Sequence, residues 1–167
     1  KPVFADVQPD TLNLDPEQAR RRLTRRTKAL IPVHFAGHSC DMRELGALAR
    51  RHKLLVIEDA CHALGGRYRG EPVGACAYSE MAAFSFHPVK PITTGEGGAV
   101  TTNRKDLYER LLLLRTHGIT KDPAQLKRRG MADCGWYYEM QALGFNYRIT
   151  DIQCALGLSQ LKKLDRF

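Results

Sequence analysis

The chain has 167 residues, of which 43% are hydrophobic and 26% are charged. This is the composition of one ordinary globular domain, and it excludes a chain that is disordered or fibrous throughout. No apolar run approaches the roughly 20 residues of a membrane-spanning helix.

The net charge is +8, and basic residues form one dense run at residues 20–26 and a shorter run at residues 127–129. Neither run contains interleaved aromatic residues that could stack on bases. We therefore interpret the first run as the solvated C-terminal end of a helix, where cations are favourable, and keep nucleic-acid binding as a minor alternative.

Five cysteines are present, an odd number, and no two of them form a CxxC pair. This indicates reduced thiols and a cytoplasmic setting. A zinc site can be drawn from one cysteine and three histidines, but their spacings match no usual ligand pattern. These four residues are His34, His38, Cys40 and His52.

The first elements predicted along the chain are a strand, a helix and a second strand. Residues 2–7 have the pattern of a strand. Asp15 then predicts a helix N-cap, with Pro16 in the first turn and a helix extending to about residue 24. Residues 29–35 form a short apolar run in which Pro32 is typical of a strand start or a sheet edge.

A second helix and a buried strand follow. Asp41, with Glu44 three residues later, predicts a capping box at the start of a helix. The apolar face of this helix has the helical spacing of Met42, Leu45, Leu48 and Ala49. Residues 54–57 are a continuous apolar run that ends in two carboxylates, as expected for a strand of a parallel sheet.

The rest of the chain continues the alternation. Residues 81–86 and 98–102 are strand candidates, and Asn103 predicts the cap of a following helix. Residues 117–145 have no regular pattern, which indicates a functional or flexible segment. A capping box at residues 150–153 predicts a last helix.

Alternating strands and helices predict an α/β fold with a mainly parallel sheet. Ligands of such sheets bind beyond the carboxyl ends of the strands. Asp59 follows the strand at residues 54–57, and a carboxylate at the end of an apolar strand requires a cationic partner. A structural cap or salt bridge is the alternative interpretation of Asp59.

Lys90 follows another predicted strand and is flanked by Pro88 and Pro91, which restrict the backbone around it. Residues 94–98 are rich in glycine and permit close approach of the backbone to a ligand. With Ser85 nearby, this pattern is that of a Schiff-base lysine beside a phosphate site. A surface lysine in a turn is the alternative.

The combination of Lys90 and Asp59 is more informative than either residue alone. A pyridoxal phosphate enzyme needs a lysine for the aldehyde of the cofactor and an acidic partner for its pyridine nitrogen. It also needs a phosphate anchor and a contact to the ring. Ser85 and His62 are side chains of the required types.

The sequence strongly resembles the DegT-type sugar aminotransferases, a family of fold-type I pyridoxal phosphate enzymes. Six matching strings occur in family order over nearly the whole chain: residues 2–7, 32–37, 57–65, 84–90, 94–98 and 143–153. Residues 87–98 and 136–141 are most similar to the branch of altrosamine transaminases in pseudaminic acid biosynthesis.

The resemblance implies a three-layer α/β/α fold with a mainly parallel sheet, the large domain of fold-type I transferases. Residues 1–167 would be part of that domain. An N-terminal segment and a smaller C-terminal domain of the family are absent from this sequence. We therefore expect the 167 residues alone to be weakly active or inactive.

The resemblance also implies roles for individual residues. Lys90 would be the catalytic residue that carries the aldehyde of the cofactor and moves a proton, and Asp59 would pair with the pyridine nitrogen. Ser85 would hold the phosphate, and His62 would contact the ring oxygen where many relatives have Gln. Asn146 would reach the cofactor phosphate of a neighbouring subunit, which implies a homodimer.

The implied reaction moves an amino group from L-glutamate, through pyridoxal 5'-phosphate, to a 4-keto-6-deoxy sugar on a nucleotide. Three alternatives stay open. Some relatives are dehydratases with histidine in place of the lysine, but Lys90 is present here. The others are a pyridoxal-phosphate-binding protein or truncated homologue without turnover, and the basic nucleic-acid-binding module.

Overall fold

The computed structural model describes residues 1–131 and 133–167. The helices are α1 (Pro16–Arg22), α2 (Met42–His52), α3 (Lys105–Arg115) and α4 (Asp151–Leu161). The strands are β1 (Ala29–Leu30), β2 (Leu55–Asp59), β3 (Arg67–Tyr68), β4 (Glu71–Pro72), β5 (Met81–Ser85), β6 (Gly98–Thr101), β7 (Ile119–Thr120) and β8 (Glu139–Met140). Single 3-10 turns lie at Phe35–Gly37, Arg129–Met131 and Leu164–Arg166. The chain divides into two compact units, one of residues 1–103 and 151–167 and one of residues 104–150.

The first unit is built on a mixed four-stranded sheet with the order β1-β2-β5-β6. The strands β1, β2 and β5 run parallel, and β6 runs antiparallel to β5. In the register of the central pair, Asp59 lies opposite Ala83. The predicted α/β class with a mainly parallel sheet is confirmed.

The core of this unit lies between the sheet and α2. Met42, Leu45 and Ala49 are buried at the helical spacing that the sequence predicts, and they pack in one cluster with Leu30 and Val56. Alternation along β2 sends Val56 to this covered face, whereas Asp59 lies on the other face. Burial of the α2 face therefore fixes which side of the sheet carries Asp59.

The predicted N-cap of α1 is confirmed. Asp15 Oδ1 accepts hydrogen bonds from the backbone N–H groups of Glu17 and Gln18, at 2.7 and 3.4 Å. The helix ends at Arg22, and its last turn consists of basic side chains. This is the favourable placement of cations at a helix C-terminus.

Residues 2–7 do not form the predicted strand. Val7 makes a single bridge with Leu14, and Val3 and Phe4 are 68% and 85% exposed. An apolar segment becomes a strand only when a neighbouring strand pairs with its backbone. The four-stranded sheet of this unit ends at β1 and β6, and neither strand pairs with residues 2–7.

The predicted strand at residues 29–35 is shorter than expected. Regular pairing ends at Leu30, and Val33 makes only one parallel bridge with Asp59. Pro32 has no N–H to donate, although its carbonyl accepts the N–H of Asp59 at 2.8 Å. The chain then turns at Phe35–Gly37, where Ala36 has a φ of 51°.

Asp41 is the N-cap residue of α2, as predicted, but its side chain forms no cap bond. The carboxylate of Asp41 instead accepts a hydrogen bond from Gln8 Nε2 at 3.2 Å, so the predicted capping box with Glu44 is not formed. The predicted cap at Asn103 is wrong. Asn103 Nδ2 donates to the carbonyl of Ala75 at 2.8 Å, and α3 begins two residues later at Lys105.

The second unit contains α3 and the antiparallel pair β7–β8, which lies within the segment predicted to be irregular. The carboxylate of Glu139 accepts hydrogen bonds from the backbone N–H groups of Lys127 and Arg128 and from the hydroxyl of Tyr137. These donors lower the pKa of Glu139 to about 2. Residue 132 of the predicted segment lies outside the described residues.

Two findings concern membranes and metals. Within residues 1–131 and 133–167, no helix is both long and apolar enough to cross a membrane. The same residues contain no group of three or more His, Cys, Asp or Glu side chains arranged to hold a metal ion. Of the histidines considered as zinc ligands, His34 instead accepts the backbone N–H of Cys40 at 3.2 Å.

Candidate active site

The candidate site lies at the carboxyl ends of the parallel strands in the first unit. Asp59 ends β2 and Ser85 ends β5. Since Asp59 pairs in register with Ala83, and Ser85 is two residues further along β5, both side chains lie on the same face. The sheet thus brings a carboxylate and a hydroxyl to the edge at which ligands of α/β proteins bind.

The backbone around Asp59 is fixed by neighbouring segments. Its N–H donates to the carbonyl of Pro32 at 2.8 Å, and its carbonyl accepts the N–H of His34 at 3.0 Å. The Oδ1 atom accepts the N–H of Cys61 at 3.1 Å. The backbone bonds and the N–H of Cys61 therefore hold the Asp59 carboxylate in place at the end of β2.

Behind Asp59, on the covered face of the sheet, lies a buried polar network. His34 and Glu58 are 0% and 5% exposed, and His34 Nε2 lies 2.7 Å from Glu58 Oε2. Because His34 Nδ1 accepts the N–H of Cys40, Nε2 carries the hydrogen and donates it to Glu58. The hydroxyl of Ser79 donates to the other carboxylate oxygen. This network is fully satisfied, and it anchors the end of β2.

Lys90 is half-buried in a tight turn after β5. Its N–H donates to the carbonyl of His87 at 3.0 Å, and the N–H of His87 donates to Ser85 Oγ at 3.3 Å. The turn closes where the N–H of Thr94 and the hydroxyl of Thr93 both donate to the carbonyl of Phe86. These bonds, together with the flanking prolines, restrict the backbone of Lys90.

The glycine-rich segment after Lys90 is held by α4. Gln153 Nε2 donates to the carbonyl of Glu96 at 2.9 Å, and this carbonyl also accepts the hydroxyl of Thr94 at 2.7 Å. A Cβ atom at Gly157 would lie 2.8 Å from the methyl group of Thr94, so the helix approaches this segment as closely as glycine allows. The turn that carries Lys90 is thus supported from both ends.

The charges of Asp59 and Lys90 act in opposite directions on the thiol of Cys61. Burial raises the pKa of Cys61 to about 11, and the carboxylate of Asp59 acts in the same direction. The ammonium group of Lys90 acts on the same thiol and lowers its pKa. Both charged groups therefore lie within electrostatic range of this thiol, which is about 10 Å or less.

His62 lies on the loop that follows β2, and its side chain is exposed. Its ring meets the ring of Phe35 edge to face, with centroids 6.3 Å apart and an interplanar angle of 65°. The turn that carries Phe35 packs closely on this loop. A Cβ atom at Gly37, whose φ is +87°, would lie 3.1 Å from the carbonyl oxygen of His62.

Asn146 belongs to the second unit, apart from the other four predicted residues. It forms an isolated antiparallel bridge with Thr116. The neighbouring rings of Phe145 and Tyr147 are stacked, with centroids 4.9 Å apart. The role of Asn146 stays a prediction.

Sequence reasoning missed two residues that contact the predicted site, Cys61 and Phe35. The N–H of Cys61 bonds to the side chain of Asp59 two residues earlier, which is the spacing of an Asx turn. That spacing could have identified the contact. The contact between Phe35 and His62 joins residues far apart in sequence, so no local signal predicts it.

A lysine, a held carboxylate and a hydroxyl at the carboxyl edge of an α/β sheet are typical of pyridoxal-phosphate-dependent transferases. The sequence matches the model of the DegT/DnrJ/EryC1/StrS aminotransferase family over residues 1–167. The chain belongs to this family, as its motifs predicted.

Two curated relatives and one solved structure illustrate the similarity. The chain is 47% identical over 164 residues to GDP-perosamine synthase of Caulobacter vibrioides. The match covers 98% of the present chain and 40% of the relative. It is 45% identical over 168 residues to UDP-4-amino-4,6-dideoxy-N-acetyl-beta-L-altrosamine transaminase of Campylobacter jejuni. That match covers 99% of the present chain and 41% of the relative.

The solved structure is the PLP-form of the putative sugar aminotransferase Spr1654 from Streptococcus pneumoniae. Its TM-score is 0.85 and its sequence identity is 29%, with 99% of the present chain and 44% of the other chain covered. The chain therefore spans about two fifths of the length of the proteins that it matches.

Proposed function

We propose that this chain is the cofactor-binding part of an aminotransferase that uses pyridoxal 5'-phosphate. The enzyme moves an amino group from L-glutamate to a 4-keto-6-deoxy sugar carried on a nucleotide. The observation that carries the proposal is the placement of Asp59 and Ser85 on one face at the carboxyl ends of β2 and β5, with Lys90 in the turn that follows β5. Activity is proposed for a protein of the relatives' length, and the 167 residues alone are proposed to be weakly active or inactive.

The residues at the carboxyl edge fit the chemistry of this cofactor. Asp59 offers a carboxylate for the pyridine nitrogen, Lys90 an amine for the aldehyde, and Ser85 a hydroxyl for the phosphate. His62 offers an exposed imidazole for the ring oxygen. When bound, pyridoxal phosphate supplies an aldehyde that takes up the amino group and a ring that accepts electron density.

With the cofactor bound, the carboxylate of Asp59 would pair with the pyridine nitrogen and keep that nitrogen protonated. Its Oδ1 atom is already engaged by the N–H of Cys61, which fixes the plane of the carboxylate. A bond between two charged groups is stronger than a neutral one, contributing about 1.5–3 kcal/mol.

Lys90 Nζ moves the proton on and off the substrate carbon that loses or gains the nitrogen. The turn bonded to His87 and Phe86 holds the backbone of Lys90 while its long side chain moves. A fixed backbone with a mobile ammonium group suits a residue that serves both halves of the reaction.

Ser85 and Asn146 complete the phosphate site in this proposal. Ser85 Oγ accepts the N–H of His87, so its own hydrogen is available to a phosphate oxygen. Asn146 reaches the phosphate bound by the other subunit of a homodimer. Membership of the family supports both assignments.

For the sugar, we propose a UDP-linked substrate of the pseudaminic acid pathway. The altrosamine transaminase supports this choice, whereas the similar identity of GDP-perosamine synthase favours a GDP-linked sugar as the second candidate. The positive net charge suits either anionic substrate. We further propose that the enzyme acts in the cytoplasm.

The amino-transfer test uses the protein at its full length, loaded with pyridoxal phosphate. With L-glutamate alone, the account predicts one equivalent of 2-oxoglutarate per site, and none from Lys90→Ala. The matched control is Lys53→Ala, which removes a lysine at the opposite end of β2. This variant should retain activity.

The outcome also separates the alternatives. Release of 2-oxoglutarate excludes a binding protein without turnover. Subsequent amination of a UDP-linked but not a GDP-linked 4-keto-6-deoxy sugar supports the altrosamine branch, and the reverse result contradicts it. Cofactor binding without any release of 2-oxoglutarate from glutamate would refute the proposed donor.

A further inference from the structure

Two basic segments that are distant in sequence meet at the edge of the sheet opposite Asp59. One connects α1 to β1, and the other ends α2 just before β2. Because β1 and β2 are parallel, both segments lie at the amino ends of these strands. The helices α1 and α2 also pack against each other. We call the resulting surface the basic edge; its cationic side chains are Arg22, Arg25, Arg26, Lys28, Arg50, Arg51 and Lys53.

The charges of the basic edge are not neutralised within the described part of the chain. Arg20 and Arg21, earlier in α1, pair with Glu17 at 2.6 and 3.1 Å. None of the side chains that define the basic edge has an ion-pair partner among residues 1–131 and 133–167. The carboxylate of Glu80 lies at the same ends of the strands, where it accepts the N–H of Val56. One carboxylate leaves a large excess of positive charge.

A cleft opens in this surface between the ends of α1 and α2. Its volume is about 450 Å³, and it is lined by Leu23, Thr24, Arg25, Thr27, His52 and Leu54. Leu54 is buried and Leu23 half-buried, whereas the polar lining residues are mostly exposed. A partly apolar concavity with a few converging polar groups is the usual form of a small-molecule site.

The turn between α1 and β1 orders the polar part of the lining. The N–H of Thr24 donates to Thr27 Oγ1 at 2.9 Å, and the N–H of Arg26 donates to Thr24 Oγ1 at 3.2 Å. The two threonine hydroxyls also lie 3.4 Å apart and share a hydrogen bond, so these contacts fix the backbone of the turn that carries Arg25. A guanidinium group beside hydroxyl and imidazole donors is the set of groups that binds phosphate oxygens.

We propose that this cleft binds the phosphate group of a small soluble molecule. Arg25 pairs with the phosphate, His52 and the threonine hydroxyl that is not donating to its neighbour donate to its oxygens, and the leucines contact an apolar portion of the same ligand. Bringing like charges together without partners is unfavourable, and a bound phosphate removes that repulsion. The site lies at the opposite ends of the strands from Asp59, so it does not depend on the proposed aminotransferase function.

The test measures the affinity for inorganic pyrophosphate by calorimetry, at low and at physiological salt. It uses the full-length protein saturated with pyridoxal phosphate, so that the proposed phosphate site at Ser85 is occupied. The account predicts saturable one-to-one binding that survives physiological salt. Arg25→Ala and His52→Ala should each weaken it by about tenfold or more, as expected for loss of a charge-assisted or site-specific contact. In the NMR spectrum, the imidazole signals of His52 should shift with the same dissociation constant.

Two variants serve as controls. Arg21→Ala removes the same charge as Arg25→Ala from a side chain already paired with Glu17. It should change the affinity by less than about twofold, because exposed ion pairs contribute little. Ser85→Ala should also leave the affinity unchanged, since Ser85 belongs to the other edge of the sheet. All substituted side chains are exposed or half-buried, and unchanged circular dichroism confirms that the variants fold.

Several results would overturn the proposal. Equal weakening by Arg21→Ala and Arg25→Ala would mean diffuse charge attraction and no specific site. Loss of binding in Ser85→Ala would assign the pyrophosphate to the carboxyl edge. Absence of pyrophosphate binding, with binding to phosphatidylglycerol vesicles or single-stranded RNA, would make the basic edge a surface for a macromolecule.

Discussion

The reactivity of Cys61 offers a quantitative test of the juxtaposition of Lys90 and Asp59. The ordinary cysteine pKa is 9.0, and burial with the help of Asp59 raises that of Cys61 to about 11. At about pH 8 the thiolate fraction then falls from roughly one in ten to roughly one in a thousand, so alkylation slows about 100-fold. Asp59→Asn removes the negative charge but keeps an acceptor for the N–H of Cys61. It should recover part of this factor, roughly 3- to 30-fold.

Lys90→Ala should act in the opposite direction. The ammonium group lowers the pKa of Cys61, so its removal raises the pKa and slows the reaction further. The assay follows iodoacetamide labelling of each cysteine peptide by mass spectrometry. Cys40 is an internal control, because burial, then Asp41 and Glu58, raise its pKa to about 11 without a contribution from Asp59 or Lys90.

If both substitutions leave the labelling rate of Cys61 unchanged, or if Cys40 responds as strongly, the two charges do not act on the thiol. The arrangement of the candidate active site would then be wrong. A change of the predicted sign in each variant, with a constant Cys40 rate, supports the site before any cofactor is added.

Three further predictions concern the cofactor and the fold. Asp59→Asn should weaken the binding of pyridoxal phosphate by roughly 10- to 100-fold, measured by absorbance titration, because a charged hydrogen bond becomes neutral; undiminished affinity would contradict the assignment. Leu45→Ala should lower the free energy of unfolding by about 3 kcal/mol in urea denaturation, since Leu45 is 0% exposed. The matched control Leu55→Ala, at a side chain 40% exposed, should lose about 1 kcal/mol or less, and equal losses would place the core elsewhere. Gly37→Ala should lower the free energy of unfolding by about 1–2 kcal/mol, because φ is +87° and the new Cβ would press on the carbonyl of His62. An unchanged free energy of unfolding would mean that this turn packs more loosely.

Local sequence patterns predicted the elements that position the site. The apolar run before Asp59 forms β2, which lies between two other strands of the sheet. A continuous apolar run is typical of such a buried strand. The face of α2 was predicted from spacing alone. Asp15 caps α1 through bonds that span only three residues, so the sequence contains all the information needed.

The failures share a physical cause, which is competition from distant partners. Asp41 has the right spacing for a cap, but Gln8 takes its carboxylate, and Asn103 bonds to Ala75. The buried bond between His34 and Glu58 joins residues 24 apart in sequence. Such contacts depend on tertiary structure, and a single sequence does not display them. The family resemblance predicts the site residues but does not show what orients them.

The most direct measurement of the central claim is to trap the cofactor. The full-length protein is incubated with pyridoxal phosphate and reduced with borohydride, and the modified peptide is identified by mass spectrometry. The account predicts one pyridoxyl group, on Lys90 within the turn at residues 86–94. A group on any other lysine, or no group at all in a folded protein, would contradict it.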